Sequence, residues 1–152
     1  MIRDIVIRPA RTEDIMQMCD LLAELFAMEA DFSADREKQR NALTLLVAER
    51  LNSSLTVVAV KGYQVIGMCS IQALISTAEG GPAGFVEDVI ILGEYRGQGV
   101  GTAMLDVLLS WCRARGMTRV QLLADKDNEK ALAFYGSRGW ESTNLVCLRK
   151  QL

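Results

Sequence analysis

Gly97, Gly99 and Gly101 alternate within the run Arg96-Gly97-Gln98-Gly99-Val100-Gly101-Thr102, where a predicted strand hands over to a predicted helix. Glycines at alternate positions let the backbone approach a ligand closely and take positive φ. Successive N–H groups can then converge on an anion, with the positive end of the helix dipole behind them. A phosphate or pyrophosphate is the natural guest. The glycines alone also suit a plain connection between strand and helix. The run is not a Walker loop, because no Gly-Lys-Ser/Thr follows, and its spacing is not that of the dinucleotide fingerprint. Just upstream, Glu87 and Asp88 are adjacent on the strand. Successive strand side chains point to opposite faces, so only one of the two is expected to face a site and the other to be structural.

The sequence contains no histidine. Ser-His and Cys-His nucleophilic systems are thereby excluded, as are the commonest metal ligands, and proton transfer falls to a carboxylate, Tyr, Lys or bound water. Cys19, Cys69, Cys112 and Cys147 lie far apart in apolar surroundings, without the close pairing of zinc sites or redox dithiols. They read as small buried hydrophobes, and no metal is expected. A net charge of −2 with no basic run argues against a nucleic-acid partner. No apolar stretch approaches a membrane span, and Met1-Ile2-Arg3-Asp4 lacks signal-peptide organisation, so the expectation is a cytoplasmic protein with no membrane partner. At 152 residues, half of them apolar, the chain is expected to form a single domain over 1–152.

The elements that must position the glycine run follow from periodicity. Ile5-Val6-Ile7 reads as a strand stopped by Pro9, and Thr12 as the N-cap of a helix with Ile15, Met18, Leu22, Leu25 and Phe26 at helical spacing. After a loop near 27–33, a second helix carries Leu43, Leu46, Val47 and Leu51. Leu55–Val60 and Val65–Leu74, turning at Lys61-Gly62, predict an antiparallel hairpin, and the turn-rich stretch 76–82 precedes a strand from Phe85 to Leu92. The helix opened by the glycine run presents Met104, Leu105, Leu108, Leu109 and Cys112 and ends at Gly116. A strand from Val120 to Ala124, a helix over roughly 128–138 closed by Gly139, and a final strand from Trp140 to Leu148 complete a mixed α+β sheet.

The run Glu87-Asp88-Val89-Ile90-Ile91 … Tyr95-Arg96-Gly97-Gln98-Gly99-Val100-Gly101-Thr102 resembles the signature of the GNAT superfamily of N-acetyltransferases, whose cofactor loop reads Arg/Gln-x-x-Gly-x-Gly/Ala. Asn128-Glu129-Lys130-Ala131-Leu132-Ala133-Phe134-Tyr135 followed by Gly139-Trp140 is similar to the family's second motif, with Trp140 where Phe is usual. The resemblance covers essentially the whole chain. It implies a fold with a central mixed, largely antiparallel sheet of six to seven strands flanked by about four helices. It also implies acetyl-CoA as co-substrate. Main-chain groups of Val89 and Ile91 would pair with the pantetheine arm, and Arg96, Gly97, Gln98, Gly99, Val100, Gly101 and Thr102 would hold the pyrophosphate. Asn128 would bond the cofactor near its reactive end, and Tyr135 would sit by the thioester sulfur and protonate the departing thiolate. In polyamine and amino-sugar-phosphate acetyltransferases that share the Glu-Asp pair, the first acid lies on the substrate side, which makes Glu87 the group expected to bind or deprotonate the amine.

Between Glu13 and Glu37 there are eight acidic residues against one basic residue, Arg36. A solvated helical face would look the same, yet in the resembling family this region covers the acceptor site, where a negative field would concentrate a cationic amine. The implied activity is therefore transfer of acetyl to the primary amine of a small molecule, with a preference for a cationic one, by direct attack in a ternary complex. No cysteine lies in either motif, which disfavours an acetyl-enzyme. The alternatives are an acyl-CoA-binding sensor without turnover and an interaction module whose sheet edge supports a homodimer.

Overall fold

A computed structural model describes residues 2–49 and 52–152. Residues up to Gln121 form one compact unit and Leu122–Leu152 a second. Five strands form one sheet in the order β1-β2-β3-β4-β5. They are β1 (Ile5–Pro9), β2 (Ser54–Lys61), β3 (Gln64–Ser76), β4 (Gly81–Ile91) and β5 (Val120–Leu122). The first four are joined by antiparallel ladders. The β2–β3 hairpin turns at Gly62-Tyr63, one residue later than the sequence suggests, because Lys61 still pairs with Gln64. β3 and β4 run further than expected, into the stretch read as a break, since Ser76 and Gly81 remain in register.

Helices α1 (Ile15–Met28) and α2 (Arg36–Ala48) cover one face of this sheet and α3 (Val100–Ala114) the other. Ile15, Met18, Leu22 and Leu43 pack with Val58, Met68 and Ile90 in one buried cluster. Gly67, the neighbour of Met68 and so on the opposite face, lies against Met104 of α3, and Gly84 lies against Cys112. The apolar positions read from periodicity are thus core positions: Met104, Leu105, Leu108 and Cys112 are all buried. Leu51, expected on the second helix, lies outside the described residues.

Four expectations need correction. Thr12 is not a side-chain cap; it opens a short 3-10 turn, Thr12–Asp14, before α1. The capping oxygen belongs to Asp14, whose carboxylate accepts from the Arg11 N–H at 2.7 Å and from the Arg8 guanidinium at 2.7 and 2.9 Å. The sheet has five strands among the described residues, not six to seven. No strand forms over Trp140–Leu148, where Leu145, Val146 and Leu148 are 81–90 % exposed. A short run of apolar residues specifies readiness to pair, but a strand exists only through its ladder partner. Cys147, in the same segment, is exposed rather than buried. In this second unit α4 (Glu129–Gly136) is capped by Asn128, whose side chain accepts from the Ala131 N–H at 3.0 Å.

Burial alone would raise the Asp14 carboxyl, but the Arg8 guanidinium and the Arg11 N–H outweigh it and hold Asp14 below its ordinary value of 3.8. A depressed carboxyl stabilises the native state above its unfolded value, and that stabilisation disappears as pH falls through the native value. Asp14→Asn should therefore cost about 1–3 kcal/mol at pH 7. The gap from the wild type should close below about pH 4. Urea denaturation of both proteins across pH 2–7 measures it; a gap unchanged down to pH 2 would contradict the assignment.

Candidate functional site

The site is organised by a bulge in β4. Met68 pairs with Ile90, but Ser70 pairs with Glu87, so β4 holds one residue more than β3 between these rungs. Asp88 takes up the excess in left-handed conformation, with φ 54°. The extra residue reverses which main-chain groups face which edge. Before the bulge, the Gly84 N–H points away from β3 and donates to Arg119 O at 3.0 Å. After it, the Leu92 N–H points back to β3 and donates to Ile66 O at 2.9 Å. By alternation, the N–H and C=O groups of Val89 and Ile91 face the edge away from β3. With three residues β5 spans only about 10 Å, against roughly 23 Å from Gly84 to Ile91. The second half of β4 therefore offers an edge to an extended ligand, at the two residues expected to hold the pantetheine arm.

The chain then turns through a short 3-10 segment, Gly93–Tyr95, into the glycine run. Gln98 Nε2 donates to Glu94 O at 2.8 Å, and the Lys61 ammonium sits 5.2 Å from the centre of the Tyr95 ring, so the turn is tied from both sides. Gly97 and Gly99 have φ of 73° and 86°. A Cβ built on either meets nothing within 4 Å. These two are glycines for their backbone conformation, and the space above them is open to a ligand. Gly99 is the N-cap of α3, and the first α-helical bond runs from Ala103 N–H to Gly99 O at 3.0 Å. The amides of Val100, Gly101 and Thr102 precede that ladder, which is the arrangement suited to a phosphate. Backbone geometry, open space and the offered edge thus fit acetyl-CoA.

Arg96 has two partners within the protein. Its Nε donates to Ile91 O at 2.7 Å, and an Nη donates to the Glu24 carboxylate of α1 at 3.2 Å. Glu87 is exposed and shares a face with Ser70, whose hydroxyl donates to Glu87 O at 3.3 Å. The expected strict alternation of Glu87 and Asp88 is broken by the bulge. Burial, then the neighbouring Glu87 and Glu29 carboxylates, pushes the Asp88 carboxyl up to about 6. In the sequence Asp88 stands only as the neighbour of Glu87 with no role of its own, since a bulge depends on the register of two strands. Glu24, too, was visible only as one acid among eight. Half of those acids have structural work: Asp14 pairs with Arg8, Asp20 with Arg36 at 2.6 Å and Glu24 with Arg96, while Asp35 caps α2 by accepting from Lys38 N–H.

A cavity of about 390 Å³, lined by Leu74, Phe85, Arg119 and Gln121 among others, lies at the start of β4, far along the strand from the glycine run. Burial pushes the Cys69 thiol up to about 12, so it offers no thiolate at neutral pH. The remaining two expected residues belong to the second unit. Asn128 and Tyr135 are seven residues apart, two turns, and so on one side of α4. The Tyr135 ring meets Phe134 and Trp140 edge-on at 5.2 and 5.7 Å, and its carbonyl accepts from the Trp140 N–H at 3.2 Å. Trp140 serves as a packing partner in the place of the usual Phe.

The model of the acetyltransferase (GNAT) family matches residues 15–140, and the chain belongs to that family of acetyl-CoA-dependent enzymes. The fold recurs in solved structures of low identity. A Trypanosoma brucei acetyltransferase is 24 % identical with a TM-score of 0.76, covering 98 % of this chain and 100 % of its own. Glucosamine-6-phosphate N-acetyltransferase from Arabidopsis thaliana is 19 % identical, TM-score 0.76, with 96 % and 97 % covered. A predicted acetyltransferase with acetyl-CoA from Clostridium acetobutylicum is also 19 % identical, TM-score 0.76, with 96 % of each chain covered. Among the described residues no helix is long and apolar enough to cross a membrane.

The Asp88 carboxyl reverses the pH behaviour of Asp14. Its native value of about 6 lies above the ordinary 3.8, so between these values the native state binds more protons than the unfolded chain and stability falls as pH rises. Asp88→Asn, which tolerates the left-handed backbone, removes that loss. Urea denaturation should show the variant gaining on the wild type between about pH 4 and 6, and the difference levelling off above that. A difference that does not change with pH would refute a raised Asp88.

Proposed function

We propose that the chain transfers acetyl from acetyl-CoA to the primary amine of a small molecule, preferring a cationic amine, by direct attack in a ternary complex. The observation that carries this reading is the carboxylate pair Glu87-Asp88 at the bulge, adjoining the two edge residues Val89 and Ile91. Acetyl-CoA supplies the activated acyl group and a thiol leaving group. The family match runs through Gln121 and supports one domain over 1–152.

An amine at neutral pH is mainly ammonium and has no lone pair to offer until a base removes a proton. Glu87, exposed at the mouth of the bulge, binds the ammonium. The proton passes to the carboxylate pair, directly or through water, Asp88 being the member whose proton affinity burial has raised. Val89 and Ile91 align the acyl group along the edge, and N–H donors there stabilise negative charge developing on the carbonyl oxygen. Asn128 holds the cofactor near its reactive end, and the Tyr135 hydroxyl protonates the leaving sulfur, as in the resembling family. The preference for a cationic amine rests on Glu29, Glu87 and Asp88, the acids that act on one another, rather than on the acidic stretch as a whole.

Steady-state kinetics with the best amine test both roles. Tyr135→Phe keeps the ring and should lower kcat and kcat/KM together by about 10²–10⁴, the usual worth of a positioned general acid. Glu87→Gln should raise the amine KM and lower kcat at pH 7, with partial recovery as pH approaches the pKa of the free amine. A kcat within about threefold of wild type in both folded variants, far below the general-acid range, contradicts the assignment.

A further inference from the structure

Arg96 opens the glycine run, and an arginine there invites reading as a counter-ion for pyrophosphate. Its side chain is committed elsewhere. Nε donates to Ile91 O at 2.7 Å and Nη2 to Glu24 Oε1 at 3.2 Å, with Arg96 and Glu24 only 45 % and 40 % exposed. Ile91 is the last residue of β4, and its carbonyl belongs to the edge that faces away from β3. Glu24 lies 72 residues away in sequence, on α1, the helix covering the face where Glu87 stands. One planar guanidinium thus joins three parts: the end of the β4 edge, the start of the phosphate loop and the acceptor-side helix.

We propose that Glu24 is a positioning residue for acetyl-CoA, acting through Arg96, whose two-pronged contact fixes the Ile91 carbonyl and the entry to the glycine run against α1. This rests on the reading that the β4 edge and the run hold acetyl-CoA. The chemistry of the fork makes the role specific. Arg donates from Nε and Nη2 in one rigid plane, whereas a Lys ammonium at the same place retains the charge but cannot hold both acceptors in that geometry. A backbone edge held at Ile91 presents its remaining groups to the pantetheine arm without first losing conformational freedom, so a loosened latch appears as weaker binding. Once acetyl-CoA saturates the enzyme, the cost of ordering the edge has been met and the chemical step proceeds normally.

Calorimetric titration of CoA into the full-length wild type, Glu24→Gln, Arg96→Lys and Arg96→Ala, with steady-state kinetics on the same proteins, tests the proposal. The expected result is about three- to tenfold weaker CoA binding in Glu24→Gln, the range of a half-exposed charge-assisted contact. Arg96→Lys should resemble Arg96→Ala rather than the wild type. Glu24→Gln should raise the KM for acetyl-CoA and leave the amine KM and the saturated kcat unchanged, a split that general loss of structure would not produce. Affinity within twofold of wild type in Glu24→Gln overturns the proposal. So does wild-type affinity in Arg96→Lys beside a weak Arg96→Ala, which would make Arg96 a plain counter-ion. A wild type that does not bind CoA overturns the slot itself together with the latch.

Discussion

The extra residue at Asp88 is the constraint from which the rest of the site follows. A regular β4 would keep one parity throughout, so that the groups facing away from β3 at Gly84 would be followed by those of Ile90 rather than of Val89 and Ile91. The bulge shifts that parity at the point where β5 has already ended. It also holds a non-glycine residue at positive φ, which costs of order 1 kcal/mol and persists only where surrounding ladders over-determine it. Nine cross-strand pairs between β3 and β4 supply that surrounding order. The same irregularity carries the Asp88 carboxyl into low dielectric beside Glu87 and Glu29, so one backbone defect both turns the main-chain groups of Val89 and Ile91 away from β3 and pushes the Asp88 carboxyl up to about 6.

Around this point the two sheet faces divide the labour. α3 packs through Met104, Leu105, Leu108 and Cys112, and that buried contact fixes where its N-terminus, and so the glycine run, must lie. α1 and α2 pack through Met18, Leu22 and Leu43 on the other face, which sets Glu24 of α1 against Arg96 and Glu29 near Asp88. Electrostatics then apportions the acids. Asp14, Asp20 and Glu24 are matched by Arg8, Arg36 and Arg96, so three of the eight acids of the first third are paired within the protein.

The helices were legible because α1 and α3 place buried apolar residues at three- and four-residue spacing, and α2 sets half-buried Leu46 and Val47 at the same spacing from buried Leu43. The glycine run was legible because its chemistry is backbone chemistry, which Gly97 and Gly99 announce directly. Asp88 was not, since a bulge depends on the register of two strands, and nothing in Glu87-Asp88-Val89 distinguishes it from regular alternation. The contact of Arg96 with Glu24 was not legible, because the two residues are 72 apart, beyond any local pattern. The segment Trp140–Leu148 showed the converse failure: apolar composition without a partner forms no strand.

The central claim is that an acid pair on a bulged strand and an offered backbone edge together transfer acetyl to an amine. Release of free thiol from acetyl-CoA, followed in the presence of a panel of polyamines, amino-acid-derived amines and amino sugars, measures that claim most directly. The account predicts thiol release that depends on the added amine, saturates with it, is matched by acetylated product and is fastest for a cationic amine. Binding of acetyl-CoA with no amine-dependent release from any member of the panel would contradict it.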